Sequence, residues 1–302
     1  MAKPRLSFSQ IINMNVGFFG IQYSFGLQQS AVNPIYDMLG AAPDEIPILN
    51  LAGPMTGLLI QPIIGALSDN TWSPRFGRRK PFIFIGALFC SITLFLYPFS
   101  SSLWMAAGLL WVLDAANNTA MEPYRALIAD KLPDEQYSTG FLTQSFFTGL
   151  GITLANISLF VFQKYITGTA GSLPYWVYAS FFLGTTCSIT TVMWSISKTP
   201  EIPPDEEELK ALKKRTEGMP HPAIQFFLSI LTTLVAYLVF FLLLIPTIFA
   251  KGLIRRTLEK TKENSTTRVL FAQNIEIIES IMVMPSVMWK LALIYLFQWY
   301  AL

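Results

Sequence analysis

The sequence predicts an all-α polytopic membrane protein: a six-helix bundle, an extra apolar segment and an incomplete seventh helix. Three observations carry that prediction. The chain of 302 residues is 52% hydrophobic and 13% charged, whereas roughly a quarter of the residues of a soluble globular domain are charged. Lys and Arg are absent from residues 6–74, a stretch that holds two long apolar runs. The basic residues that follow fall on alternate connections between further runs. The same composition excludes other classes. A net charge of +2 does not by itself draw a polyanion, so no nucleic-acid partner is expected. Two cysteines, Cys90 and Cys187, and one histidine, His221, give neither a disulfide framework nor a metal cluster. No metal, no cofactor and no catalytic residue is therefore expected, and a membrane-embedded enzyme is disfavoured.

A spanning helix needs about 20 apolar residues. Six such runs occupy residues 11–35, 46–67, 82–99, 103–121, 140–162 and 175–196, with short connections that mostly contain Pro or Gly. Together they define an N-terminal bundle over residues 1–196. With the N-terminus inside, the inner segments hold Lys3, Arg5, Arg75, Arg78, Arg79, Lys80, Arg125 and Lys131, and the outer loops hold only Lys164. The excess of Lys and Arg in short cytoplasmic loops sets orientation, so the expectation is a multi-pass protein of the cell (inner) membrane with a cytoplasmic N-terminus. The first ten residues lack the apolar core and cleavage site of a signal peptide.

Residues 197–222 read as a cytoplasmic linker. In it Asp205–Glu208 precede Lys210, Lys213, Lys214 and Arg215, an order that suits a short solvated helix. Residues 223–250 form an apolar insertion with basic residues on both sides. One crossing would put Lys251, Arg255, Arg256, Lys260, Lys262 and Arg268 outside, against the charge bias. A re-entrant segment broken at Pro246, or a helix packed on the bundle, keeps both flanks inside and is the expectation. Residues 251–288 then make a basic linker with a surface helix over 274–284, and residues 289–302 begin a seventh transmembrane helix.

Ionisable groups inside a bilayer are costly and mark candidate functional sites. The fourth span carries Asp114 about half-way along it, with Asn117, Asn118, Met121 and Arg125 along one face and Glu122 near its edge. A carboxylate beside two amides suits a cavity that exchanges protons and binds hydroxyls; a structural polar lock between helices is the plain alternative. In the first span Asn15, Phe18, Gln22, Phe25 and Gln29 share a stripe. Amides bond hydroxyls in plane, and flat rings stack on the C–H face of a sugar; packing with amide glue between helices fits the same stripe. On the fifth span Ser145, Thr148 and Asn156 add a third wall, with Gln144 directed elsewhere. Glu122 and Arg125 read as an ion pair of structural or gating role.

The connection between the second and third spans reads GALSDNTWSPRFGRRKPF. Asp69 ends one span, Gly77 makes a turn, and Arg75, Arg78, Arg79 and Lys80 follow. An acid facing a basic cluster at a helix mouth can hold two helices in one state and release them in another; it also serves as a topology anchor. This loop resembles the signature of the major facilitator superfamily, in which Gly and Asp precede a G-R-R-basic turn. Its longer spacing is similar to the sucrose-transporter-like branch, the glycoside–cation symporters, on Ser68, Asp69, Gly77, Arg78, Arg79, Lys80, Pro81 and Phe82. Gly20, Ile21, Gln22, Tyr23, Phe25, Leu27 and Gln28 resemble that branch's first helix. Leu113, Asp114, Asn118, Pro123, Arg125, Ala126, Leu127, Ala129 and Asp130 resemble its fourth.

The resemblance implies a twelve-helix fold of two six-helix bundles with substrate between them at mid-membrane. It implies proton-coupled uptake of a disaccharide such as sucrose or maltose, with Asp114 as the proton-coupling carboxylate. Asp69 with Arg75, Arg78 and Arg79 would control the cytoplasmic gate. The expected partners are thus a sugar, a proton or other cation, the lipid bilayer and a C-terminal six-helix half that this chain lacks, as in a fragment of a longer protein. A sodium-coupled carrier of another glycoside and a truncated, non-transporting membrane protein are the alternatives.

Overall fold

The computed structural model describes residues 3–219 and 221–247, together with 287, 288 and 290. It divides into two compact units, Met1–Thr216 and Glu217–Leu302. The first contains helices α1 (Phe8–Met38), α2 (Ile46–Leu49), α3 (Ala52–Asp69), α4 (Lys80–Leu96), α5 (Leu103–Lys131), α6 (Tyr137–Tyr165), α7 (Tyr175–Lys198) and α8 (Glu206–Thr216). A two-residue hairpin, Thr169–Ala170 against Leu173–Pro174, joins α6 to α7. The second unit holds α9 (Pro222–Thr247).

Local chemistry starts these helices where the sequence signals it. Ser7 accepts from the Gln10 backbone N–H, and the Gln10 side chain accepts from Ser7 N–H, a capping box at α1. Ser102 caps α5 by accepting from Met105 N–H. Pro34, Pro62 and Pro123 sit inside α1, α3 and α5, which helices in a bilayer tolerate because neighbours re-satisfy the freed carbonyls.

Four described helical segments are long and apolar enough to cross a membrane: Ile46–Asp69, Lys80–Phe99, Asp134–Tyr165 and Tyr175–Lys198. They contain four of the six expected runs. The other two runs lie in α1 and α5, which are as long but exchange aliphatic residues for amides and acids. Those two helices are also the centre of the bundle. α1 runs along α6 and α7, and α5 runs along α3 and α4. A helix surrounded by other helices meets less lipid, so its polar residues are tolerated.

Packing is close at these contacts. A side chain on Gly20 would collide with the α7 backbone at Cys187 and Ser188. At one end of the bundle Tyr97 stacks on Phe181, centroids 4.9 Å apart, inside a cluster with Tyr36 and Trp176. Further along, the Tyr124 hydroxyl donates to the Met14 carbonyl across α1 and α5. At the other end Ser195 on α7 accepts from Gly17 N–H at 2.8 Å.

The acidic run of the linker does form the short helix α8. In the second unit α9 continues through Pro246 to Thr247, so no break precedes that proline in the described residues. The remainder of the insertion, the surface helix expected over 274–284, and the seventh helix expected over 289–302 apart from position 290 lie outside the described residues.

Candidate functional site

Two polar arrangements stand out in the first unit, one half-way along the bundle and one at its basic end. In the middle, Asp114 on α5 is 1% exposed. Its Oδ1 accepts from Gln28 Nε2 on α1 at 2.8 Å. One turn on, Asn118 Nδ2 donates to Thr56 Oγ1 of α3 at 3.1 Å and to the Asp114 carbonyl, while its Oδ1 accepts from Gln61 Nε2 at 2.6 Å. A seam of amides, a hydroxyl and one carboxylate thus joins α1, α3 and α5. Buried groups of this kind are exceptional in an apolar bundle and are held by mutual hydrogen bonds.

Asn117 leaves this seam. Its Nδ2 donates to Ser24 Oγ at 3.0 Å, and its Oδ1 accepts from Cys90 Sγ at 3.2 Å; Cys90 also receives Ser188. That makes a second polar junction, tying α5 to α1, α4 and α7. Helical geometry explains the divergence. At 100° per residue, Asn117 stands about 60° to one side of Asp114 and Asn118 about 40° to the other, so one stripe serves two neighbours.

The first-helix stripe also divides. Asn15 is fully buried and donates to the Ile11 carbonyl. Phe18 lies in the core, edge-on to Tyr124 with centroids 5.4 Å apart. Gln22 is buried, its Nε2 directed at Met121 Sδ. Phe25 is partly buried beside the same cluster, and Gln29 is exposed. On α6, Asn156 is exposed and accepts from Ser30. On the same helix Gln144 is buried, Thr148 partly buried and Ser145 exposed.

At the basic end Arg79 is 5% exposed. Its guanidinium meets Asp69 at the end of α3, Asp130 on α5 at 2.9 Å, and Ser68 Oγ at 2.6 Å. The sequence gives no local sign of the third acid here. Glu201, beyond α7, accepts from the backbone N–H of Arg78 at 2.7 Å, of Arg79 at 3.0 Å and of Lys80 at 2.9 Å. Those are orphan donors at the α4 N-terminus, where the helix dipole also favours an anion. Gly77 (φ +81°) admits it, because any Cβ there would lie against the Glu201 carboxylate.

Lys131 donates to the Pro200 carbonyl at 2.6 Å and fixes the same linker. Burial, assisted by Lys80, pushes the Lys131 ammonium below the ordinary lysine value, and Glu201 opposes the shift. Of the other gate candidates, Arg75 is exposed over the Phe76 ring. Glu122 and Arg125 pair with each other at 3.0 Å on the α5 surface. A cavity of about 480 Å³ opens at this end, lined by both signs of charge, Lys3, Arg78 and Lys131 with Asp130, Glu201 and Asp205.

Sequence reasoning thus missed Thr56, Gln61, Ser24 and Cys90 as partners of the amides, left Gln28, Ser68 and Asp130 without roles, and passed over Glu201. Gln61 carried a usable signal, an amide inside an apolar span. Glu201 carried none, because its partners lie more than 120 positions away. Among the described residues no group of three His, Cys, Asp or Glu side chains is arranged to hold a metal.

The sucrose transport protein SUC4 of Arabidopsis thaliana is 26% identical over 257 residues, covering 76% of this chain and 49% of the relative. The sucrose transport protein SUC3 of Arabidopsis thaliana is 33% identical over 142 residues, 40% of this chain and 24% of the relative. The sucrose transport protein SUT5 of Oryza sativa subsp. japonica is 34% identical over 133 residues, 37% of this chain and 25% of the relative. The chain therefore matches between a quarter and a half of the length of these curated relatives. The family description Major Facilitator Superfamily matches residues 14–300. With nearly the whole chain matched, this all-α membrane protein belongs to the major facilitator superfamily.

Proposed function

We propose that the protein is the substrate-binding part of a secondary active carrier that moves a disaccharide such as sucrose or maltose together with a proton. The observation that carries this reading is Asp114, a single carboxylate half-way along a central helix, 1% exposed and set among the hydroxyl-binding amides Gln28, Asn118 and Gln61. An ionisable group at this depth of a membrane bundle marks a path for a proton or other ion. The same amides bind sugar hydroxyls, which couples the two events. Sucrose transport by the relatives points to the same substrate class.

In this reading α1 and α5 cross the bilayer with the four more apolar segments, the N-terminus faces the cytoplasm of the cell membrane, and a second six-helix bundle closes the other side of the sugar site. Gln22, Phe25, Gln29 and Asn156 reach the sugar at the edge of the seam. Asn15, Phe18 and Asn117 act behind it by fixing α1 and α5. At the cytoplasmic end Asp69, Gly77, Arg78, Arg79 and Lys80 hold the gate, with Arg75, Glu122 and Arg125 at its rim. Alternating access then proceeds by rocking of one bundle against the other about the central site.

The test is uptake of labelled sucrose and maltose by yeast lacking disaccharide carriers, with the pH of a weakly buffered medium recorded. The expected result is sugar uptake with alkalinisation, and loss of accumulation in Asp114→Asn. Uptake by Asp114→Asn that still alkalinises the medium as wild type does would overturn the role of Asp114. Uptake that follows sodium in place of pH would overturn the proton.

A further inference from the structure

The cavity at the basic end of the first unit is out of balance once each charge in its wall is given its partner. Lys3, Arg78 and Lys131 bring three cations to it. Lys3 Nζ donates to the Ala129 carbonyl at 2.6 Å and to the Tyr137 hydroxyl at 3.1 Å, and the buried Lys131 donates to the Pro200 carbonyl at 2.6 Å. These acceptors are neutral, so they bond the two ammonium groups without cancelling their charge. Arg78 is held through its backbone N–H. Its side-chain Nε is buried and has no hydrogen-bond partner among the described residues.

The acids of the same wall are engaged elsewhere. Asp130 pairs with Arg79 at 2.9 Å, and Glu201 accepts from three backbone N–H groups. Asp205 gives one oxygen to the Glu208 N–H at 2.8 Å, at the start of α8. Its other oxygen and the exposed Glu208 carboxylate are the acceptors left over.

A desolvated cation without an anion is costly, and a buried N–H without an acceptor is rare. An arginine fork flanked by two ammonium groups matches the several oxygens and the nearly double charge of a phosphate. The leftover carboxylate oxygens accept and do not donate, so the remainder of the occupant must present hydroxyls. At about 480 Å³ the cavity lies within the usual range for small-molecule sites.

We propose that this cavity binds a phosphorylated polyol, with the phosphate on Arg78, Lys3 and Lys131 and the hydroxyls on Asp205 and Glu208. A soluble sugar phosphate and the inositol phosphate head of a lipid carry this same chemistry. The walls come from the N-terminal segment, the start of α4, the end of α5 and the linker after α7, so the occupant fastens these four parts to one another. The site is separate from the seam at Asp114 and stands whether or not the protein carries a disaccharide.

The experiment measures equilibrium binding of radiolabelled glucose 6-phosphate to the full chain in detergent, with inorganic phosphate as competitor. In parallel, melting temperature is recorded in phosphatidylcholine nanodiscs with and without phosphatidylinositol 4-phosphate. For a soluble source the expected result is saturable binding, roughly tenfold or more tighter for glucose 6-phosphate than for inorganic phosphate. For a lipid source it is a higher melting temperature in the nanodiscs that contain the phosphoinositide. Arg78→Gln should weaken the glucose 6-phosphate affinity about tenfold or abolish the phosphoinositide shift. Arg5→Gln removes an exposed cation that does not line the cavity and should leave either response unchanged. If Arg78→Gln does not fold, Arg78→Lys decides, because it keeps the charge, loses the fork and should bind more weakly. Wild type that responds to neither the sugar phosphate nor the lipid overturns the proposal. So does an Arg78 variant that responds as wild type does, or an Arg5→Gln loss as large as that of Arg78→Gln. Inorganic phosphate bound as tightly as glucose 6-phosphate overturns the part given to the hydroxyls.

Discussion

Glu201→Ala probes the clasp between the linker after α7 and the start of α4. The carboxylate accepts from three successive backbone N–H groups, those of Arg78, Arg79 and Lys80. An ordinary N-cap side chain serves one such donor and contributes about 1 kcal/mol. A charge at the positive end of a helix adds about 0.3–1 kcal/mol. Glu201 is partly exposed, so water replaces part of what is lost, and the expected cost is about 2 kcal/mol. For a unit of this size that is roughly 4–8 °C in melting temperature. Glu201→Gln keeps the shape and one acceptor oxygen while removing the charge, and should lose about half as much. The assay is thermal unfolding in detergent followed by a thiol-reactive dye. Cys90 is buried and both cysteines are free, so dye labelling of Cys90 reports opening of the core. An unchanged melting temperature in Glu201→Ala would refute the clasp. Equal losses in the Ala and Gln variants would refute the part assigned to charge.

Three further outcomes follow from the packing. Gly20→Val should prevent correct assembly, because the α7 backbone occupies the space its side chain needs; a monodisperse, thermally stable variant would contradict the contact. Tyr124→Phe removes the donor to the buried Met14 carbonyl and should cost about 1–2 kcal/mol, read as earlier unfolding with the ring packing against Phe18 retained. Glu122→Ala breaks an exposed i,i+3 pair on α5 and should change stability by no more than about 0.5 kcal/mol; a larger effect in the same melt would mean that Glu122 has a partner besides Arg125.

Periodicity and charge made much of this legible before any coordinates. Apolar runs located the helices because a bilayer leaves few other solutions. Asp114 stood out for the same physical reason, a charge where charge is expensive. What the stripe could not tell was which neighbour each residue meets. Asn117 and Asn118 are adjacent in sequence, yet one joins Ser24 and Cys90 while the other joins Thr56 and Gln61. A helical wheel gives angles; it does not say which helix lies at each angle. Phe18 shows the same limit, since a ring on the candidate face is buried against Tyr124. Glu201 was illegible for another reason. Its chemistry is ordinary, and its partners are backbone groups that no side-chain pattern reveals.

That distance in sequence bears on the order in which the protein is made. The N–H groups that open α4 find their acceptor 121 to 123 positions later in the chain. At ribosomal rates of about 5–20 residues per second, roughly 6–25 s separate the synthesis of the turn at Gly77 from that of Glu201. Through that interval the basic loop has Asp69 for a counter-charge but its helix start is uncapped. The start of α4 therefore receives its cap only after α7 (Tyr175–Lys198) has been made.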